Sequence, residues 1–173
     1  MVKEYFGLGE KWGVRIDYLH EDRRLGTAGA LSLLPSRPER PLVVMNGDLL
    51  TRAPFAQIVQ FHDLHSTLAT MVVREYDFQV PYGVVRLDGT KIQAIEEKPV
   101  QKFFVNAGIY VLSPDALNLI PAGGEYFDMP TLFERLAFMG STTTAYPLRE
   151  YWLDIGRIEE FERAQREWAG VEV

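Results

Sequence analysis

Residues 42–50 read LVVMNGDLL, and no other stretch restricts the fold of this chain as strongly. Four uninterrupted apolar residues read as a strand buried on both faces, an arrangement found mainly where helices cover a parallel sheet. Strand and helix signals alternate around it. VRIDYL (14–19) alternates as a strand, and TAGALSLLP (27–35) reads as a short helix stopped by Pro35. Thr51 and Pro54 open a helix running to about His65, with Phe55, Ile58, Val59 and His62 at helical spacing. LATMVVRE (68–75) is the next strand. This order predicts an α/β fold with a mostly parallel sheet and crossover helices.

The second half changes character. YGVVRLDGTKIQAIEEKP holds two β-rich runs around Asp88-Gly89, a dipeptide suited to a tight hairpin. FFVNAGIYVL (103–112) reads as a strand, helices are expected over 114–120 and 130–139, and TTTAYPL (142–148) is a further short strand. A closing amphipathic helix over 157–169 carries Ile158, Phe161, Ala164, Gln165 and Trp168 on one side. The 173 residues, 47% hydrophobic and 24% charged, suit one domain spanning 1–173. The formal charge of −6 and the lack of a Lys/Arg cluster argue against a nucleic-acid partner. With no cysteine there is neither a disulfide nor a thiolate metal site. No apolar run of about 18 residues and no leader pattern appear, so the expected setting is cytoplasmic, without a membrane partner.

In an open α/β sheet ligands bind beyond the carboxyl ends of the strands, where Asp48 is presented. Gly47 beside it lets a phosphate or sugar approach the backbone, although Asn-Gly-Asp is also ordinary turn chemistry. Asp154, in YWLDIG (151–156), is a second carboxylate next to a glycine, and equally a cap for the last helix. Together the two would form an oxygen-only site for a hard divalent cation such as Mg2+. EEKP (96–99) offers Glu97 as an acceptor for sugar hydroxyls and Lys98 as a point charge for phosphate, against the alternative of a solvated charge run. LGTAGAL (25–31) places Gly26 and Gly29 at a strand-to-helix turn whose backbone N–H groups favour an anion or a base edge. FGLGEKWG (6–13) is glycine-rich but leads into a strand, where a phosphate loop opens a helix. His62 and His65 share a helix face, lack a third ligand, and read as helix-surface or edge residues.

In this order FGLGEKWGVRIDYLHEDRRLGTAGAL, VVMNGDLL, PYGVVRLDG, EEKP, FVNAGIYVL and YWLDIG resemble the sugar-1-phosphate nucleotidylyltransferases, over nearly the whole chain. LGTAGAL is most similar to the mannose-1-phosphate guanylyltransferase branch, with the uridylyl and thymidylyl branches left open by the resemblance. The resemblance implies a Rossmann-like nucleotidyltransferase fold, with a mostly parallel mixed sheet and a β-hairpin in the sugar-binding half. It implies an enzyme that joins an NTP, GTP favoured, and a hexose 1-phosphate to give NDP-sugar and pyrophosphate, with Mg2+ as cofactor. By motif, Asp48, Lys98 and Asp154 are catalytic, with Asp48 and Asp154 holding the metal. Gly26 and Thr27 line the nucleotide pocket, and Gly83, Glu97 and Asn106 contact the sugar. Family members often form homo-oligomers.

One departure stands out. The family begins with a strand and a G-G-x-G-T-R loop, whereas this chain starts at Met1-Val2-Lys3-Glu4-Tyr5-Phe6, past that loop. The departure predicts a domain lacking the first strand or strands, with an exposed sheet edge. Two further readings are a non-catalytic sugar-nucleotide-binding module and a metal-dependent glycosyltransferase.

Overall fold

The computed structural model describes residues 2–168. In chain order the elements are α1 (Val2–Phe6), α2 (Gly26–Gly29), β1 (Leu42–Met45), β2 (Leu49–Thr51), α3 (Phe55–Leu64), β3 (Ala69–Gln79), β4 (Val84–Asp88), β5 (Lys91–Glu96), β6 (Val100–Leu112), α4 (Met129–Phe138), β7 (Thr143–Leu148), β8 (Trp152–Asp154) and α5 (Ile158–Trp168). Short 3-10 turns lie at Glu10–Trp12, Ala30–Leu33 and Pro114–Leu119. No helix among the described residues is long and apolar enough to cross a membrane.

The main sheet has the order β1-β6-β3-β7. β6 runs antiparallel to both β1 and β3, and β7 runs parallel to β3, so three strands share one direction and β6 opposes them. β6 is the strand buried on both faces. Its Tyr110 and Leu112 point into a cluster with Ala28, Met129, Leu132 and Leu136 under α2 and α4. Its Ala107, Ile109 and Val111 point into a second cluster with Ile58, Val72 and Leu148 under α3. Burying a Leu or Ile side chain contributes about 1.5–3 kcal/mol, so these alternating residues hold the helices to opposite faces.

The LVVM run takes a different place from the one its composition predicts. β1 is an edge strand paired only with β6, and Val43 and Met45 remain 38% and 39% exposed. Apolarity reports a strand's affinity for a core, while burial on both faces requires neighbours on both sides. The expected strand at 14–19 also has no ladder. Its alternation survives, with Ile16 and Tyr18 half-buried, the Ile16 amide bonding Leu8 O and the Tyr18 hydroxyl bonding Gly7 O. An extended segment becomes a strand only beside another.

The hairpin forms as expected, one position later than the Asp88-Gly89 reading. Asp88 pairs with Lys91, so Gly89, at φ +58, and Thr90 make the two-residue loop. Helix α5 buries Ala164 from its predicted apolar face, while Ile158 and Phe161 stay exposed. The Trp168 side chain lies outside the described residues.

His62 is a core residue, contrary to the surface reading. It is 1% exposed, with Nδ1 2.9 Å from Thr70 Oγ1 and Nε2 2.9 Å from Ser113 Oγ. Ser113 Oγ donates to Thr67 O, so its lone pair accepts from Nε2–H, and Nδ1 accepts from Thr70. Thr144 Oγ1 completes the line at 2.9 Å from Thr70 Oγ1. Two hydroxyl partners explain how imidazole fits an apolar interior. His65 is exposed, its Nδ1–H donating to Phe61 O at 2.8 Å.

Candidate functional site

Asp48 and Asp154 are brought together by a short ladder that the sequence did not announce. β2 and β8 pair antiparallel with Leu49 opposite Asp154, and the Ile155 amide donates to Asp48 O at 2.8 Å. β8 is anchored from behind by Trp152, whose Nε1–H donates to Ala107 O of the central strand at 2.8 Å. The Arg74 guanidinium lies 5.9 Å from the Trp152 ring and donates to Glu150 O.

Both carboxylates are exposed and aim at the same space. Asp154 Oδ1 accepts the Gly156 amide at 2.9 Å, closing a turn before α5 rather than capping that helix. A Cβ at Gly156 would stand 3.0 Å from Asp154 Oδ1 and 3.5 Å from Asp48 Oδ2. The missing side chain is therefore what keeps the gap between the aspartates open. Two carboxylates bordering one gap form a donor set that a hard divalent cation fits, with water and phosphate oxygens completing its shell. The pair opens on a cleft of about 850 Å³ that also includes Glu75, Asp77, Arg157 and Arg163 in its walls.

The expected sugar-contacting residues form two groups. Gly83 and Glu97 meet at the open end of the β4–β5 hairpin, where a Cβ on Gly83 would lie 2.9 Å from Glu97 Oε2. Lys98 follows, exposed, with φ +46, a left-handed conformation uncommon for a residue with a side chain. Asn106 lies on β6, donating from Nδ2 to the Tyr110 hydroxyl at 2.7 Å and accepting the Gly108 amide at 2.9 Å. Burial pushes the Tyr110 phenol up. Neither Glu97, Lys98 nor Asn106 is part of the cleft wall around the two aspartates.

Gly26 and Thr27 open α2, where three of the turn's N–H groups already have acceptors within the protein. The Ala28 and Gly29 N–H groups donate to Phe127 O at 3.0 and 2.9 Å, and the Thr27 N–H donates to Asp128 Oδ1 at 2.9 Å. The turn is thus built from within. Asp128 was not singled out by its sequence, where an acid before Met-Pro reads only as a helix cap. Its carboxyl is held below the usual carboxylate range, first by the Tyr126 hydroxyl and then by the Thr27 amide.

The sequence profile of the family described as Nucleotidyl transferase matches residues 1–170. The chain is 36% identical over 159 residues to the mannose-1-phosphate guanyltransferase of Yarrowia lipolytica, covering 88% of this chain and 43% of that protein. It is 36% identical over 172 residues to the mannose-1-phosphate guanylyltransferase catalytic subunit beta of Drosophila melanogaster, covering 93% and 45%. The chain spans less than half the length of these relatives. Among solved structures, a candidate glucose-1-phosphate thymidylyltransferase from Bacillus anthracis, crystallised with sucrose, superposes with a TM-score of 0.73 at 22% identity, covering 99% of this chain and 72% of that one.

Proposed function

The chain belongs to the nucleotidyl transferase family, and on that premise we propose that it carries the substrate-binding core of a hexose-1-phosphate nucleotidylyltransferase. The reaction joins GTP and mannose 1-phosphate. An oxygen of the sugar phosphate forms a bond to the α-phosphorus, the α–β bridging P–O bond breaks, and pyrophosphate leaves. The observation that carries this reading is the convergence of Asp48 and Asp154 on the gap beside Gly156.

Asp48 and Asp154 would hold Mg2+, which neutralises phosphate charge when bound. The remaining work is orientation, which suits a displacement with no covalent enzyme intermediate. Gly26 and Thr27 line the nucleotide side. Glu97 accepts hydrogen bonds from sugar hydroxyls, and Gly83, lacking a side chain, leaves room for them. Asn106 adds a polar contact, its amide oriented by Tyr110 and Gly108. Lys98 brings a positive charge to the sugar phosphate, and its left-handed backbone is a strain of the kind that accumulates at functional positions. The guanine and mannose preferences follow the two relatives above.

Pyrophosphate release across a panel of NTPs and hexose 1-phosphates, measured with a complete chain that includes the family's G-G-x-G-T-R loop, tests the reading. GTP with mannose 1-phosphate is expected to be the preferred pair, and Asp48→Asn to lower its turnover by about 100-fold. Turnover unaffected by Asp48→Asn would refute the assignment. Tight GDP-mannose binding without pyrophosphate release from any pair would instead favour a non-catalytic sugar-nucleotide-binding module.

A further inference from the structure

We propose that Asp128 is a positioning residue for the nucleotide turn, fastening Gly26–Thr27 through a reciprocal pair of helix caps. The proposal rests on the reading of Gly26 and Thr27 as part of the nucleotide pocket.

Asp128 occupies the cap position of α4, where an aspartate ordinarily accepts an N–H from the first turn. Here its side chain makes no such bond. Oδ1 instead accepts the Thr27 amide at 2.9 Å and the Thr27 hydroxyl at 3.3 Å. The Met129 amide of α4 in turn donates to Thr27 Oγ1 at 2.8 Å. Each residue therefore satisfies an end of the other's helix, across 101 positions of sequence. A local cap would have left Thr27 free to rotate away.

The fit around Gly26 is equally close. Gly26 has φ +79, and a Cβ there would lie 2.6 Å from Asp128 Oδ1 and 2.7 Å from Phe127 O. The carboxylate lies against the turn, which accounts for the glycine. Oδ2 is fixed by the Tyr126 hydroxyl at 2.6 Å, so the carboxylate cannot turn without losing a charge-assisted bond.

The test compares wild type, Asp128→Ala and Asp128→Asn by hydrogen exchange at the Thr27 amide and by calorimetric titration with GTP and Mg2+. Asp128→Ala is expected to speed Thr27 exchange about tenfold and weaken GTP about tenfold, the scale of one lost hydrogen bond to a charged group. Ala28 and Gly29, bonded to Phe127 O, should keep wild-type exchange. Asp128→Asn retains an oxygen acceptor for Thr27 and should recover most of the affinity. A purely structural role would speed exchange throughout α2 and α4 and leave GTP affinity unchanged. That result, or wild-type exchange at Thr27 in Asp128→Ala, overturns the proposal. If Asp128→Ala does not fold, Tyr126→Phe removes only the Oδ2 partner, and a several-fold rise in Thr27 exchange is expected. No rise there is equally decisive against it. Wild-type protein that binds no GTP removes the nucleotide reading and the proposal with it. Wild-type binding that Asp128→Ala does not weaken removes the proposal alone.

Discussion

Gly108 has φ +70, and a Cβ there would stand 2.9 Å from Asn46 Nδ2 and 3.0 Å from Leu49 Cδ1. Its carbonyl accepts the Asn46 amide, so the chain segment leading to Asp48 rests directly on it. Gly108→Ala combines left-handed strain with a close contact and is expected to cost about 1–3 kcal/mol in chemical denaturation. It should weaken Mg2+-dependent binding as well, because Asn46 must move. His62 gives a prediction in pH. Burial lowers its pKa from 6.5, the leading cause, against a smaller opposing effect of Asp63. The unfolded chain therefore binds the proton more readily than the folded one. Stability from His62 is present above pH 6.5 and is lost as pH falls through and below that value. Urea midpoints followed from about pH 7 to about pH 5 should fall in wild type and stay flatter in His62→Gln, the remaining carboxylate effects lying at lower pH.

Among the elements, β2 and β8, which bring Asp48 and Asp154 together, left the weakest sequence signal. Each is three residues long, too short for a period to register, and their pairing depends on Trp152 reaching back to Ala107. Trp152→Phe keeps the ring's apolar bulk and removes that donor. It is expected to cost about 1 kcal/mol of stability by thermal melt and to reduce Mg2+-dependent ligand affinity several-fold. Longer elements were legible: α3 appeared where Pro54 and its apolar spacing placed it, α4 lies within one residue of its expected span, and the hairpin followed its glycine. The site divides the same way. Asp48 and Asp154 carried glycine neighbours and motif resemblance, whereas Asp128, Tyr110 and Tyr126 act through contacts across the fold that no local pattern encodes. The strand misread at 14–19 and the burial misassigned to β1 share one cause. A strand's environment is set by its neighbours in the sheet, and those are fixed by topology.

For the whole molecule, β6 organises everything else. Its buried half joins the two core clusters, while its other end extends with β3 into solvent and carries the exposed hairpin. The Asp48–Asp154 ladder is tied to that strand by Trp152, and the Gly26–Thr27 turn packs over it through Ala28 and α4. The residues proposed to bind substrate are therefore distributed around one central strand. The central claim is that Asp48 and Asp154 act as one cation site for a sugar nucleotide. Asp154→Asn is the sharpest probe, since its amide oxygen can still accept the Gly156 N–H and preserve the turn. The measurement is calorimetric titration of GDP-mannose into wild type and Asp154→Asn, each with Mg2+ and with EDTA. We expect Mg2+ to tighten wild-type binding at least about tenfold and to have no effect on Asp154→Asn. An equal Mg2+ enhancement in both proteins, or none in wild type, would contradict the account.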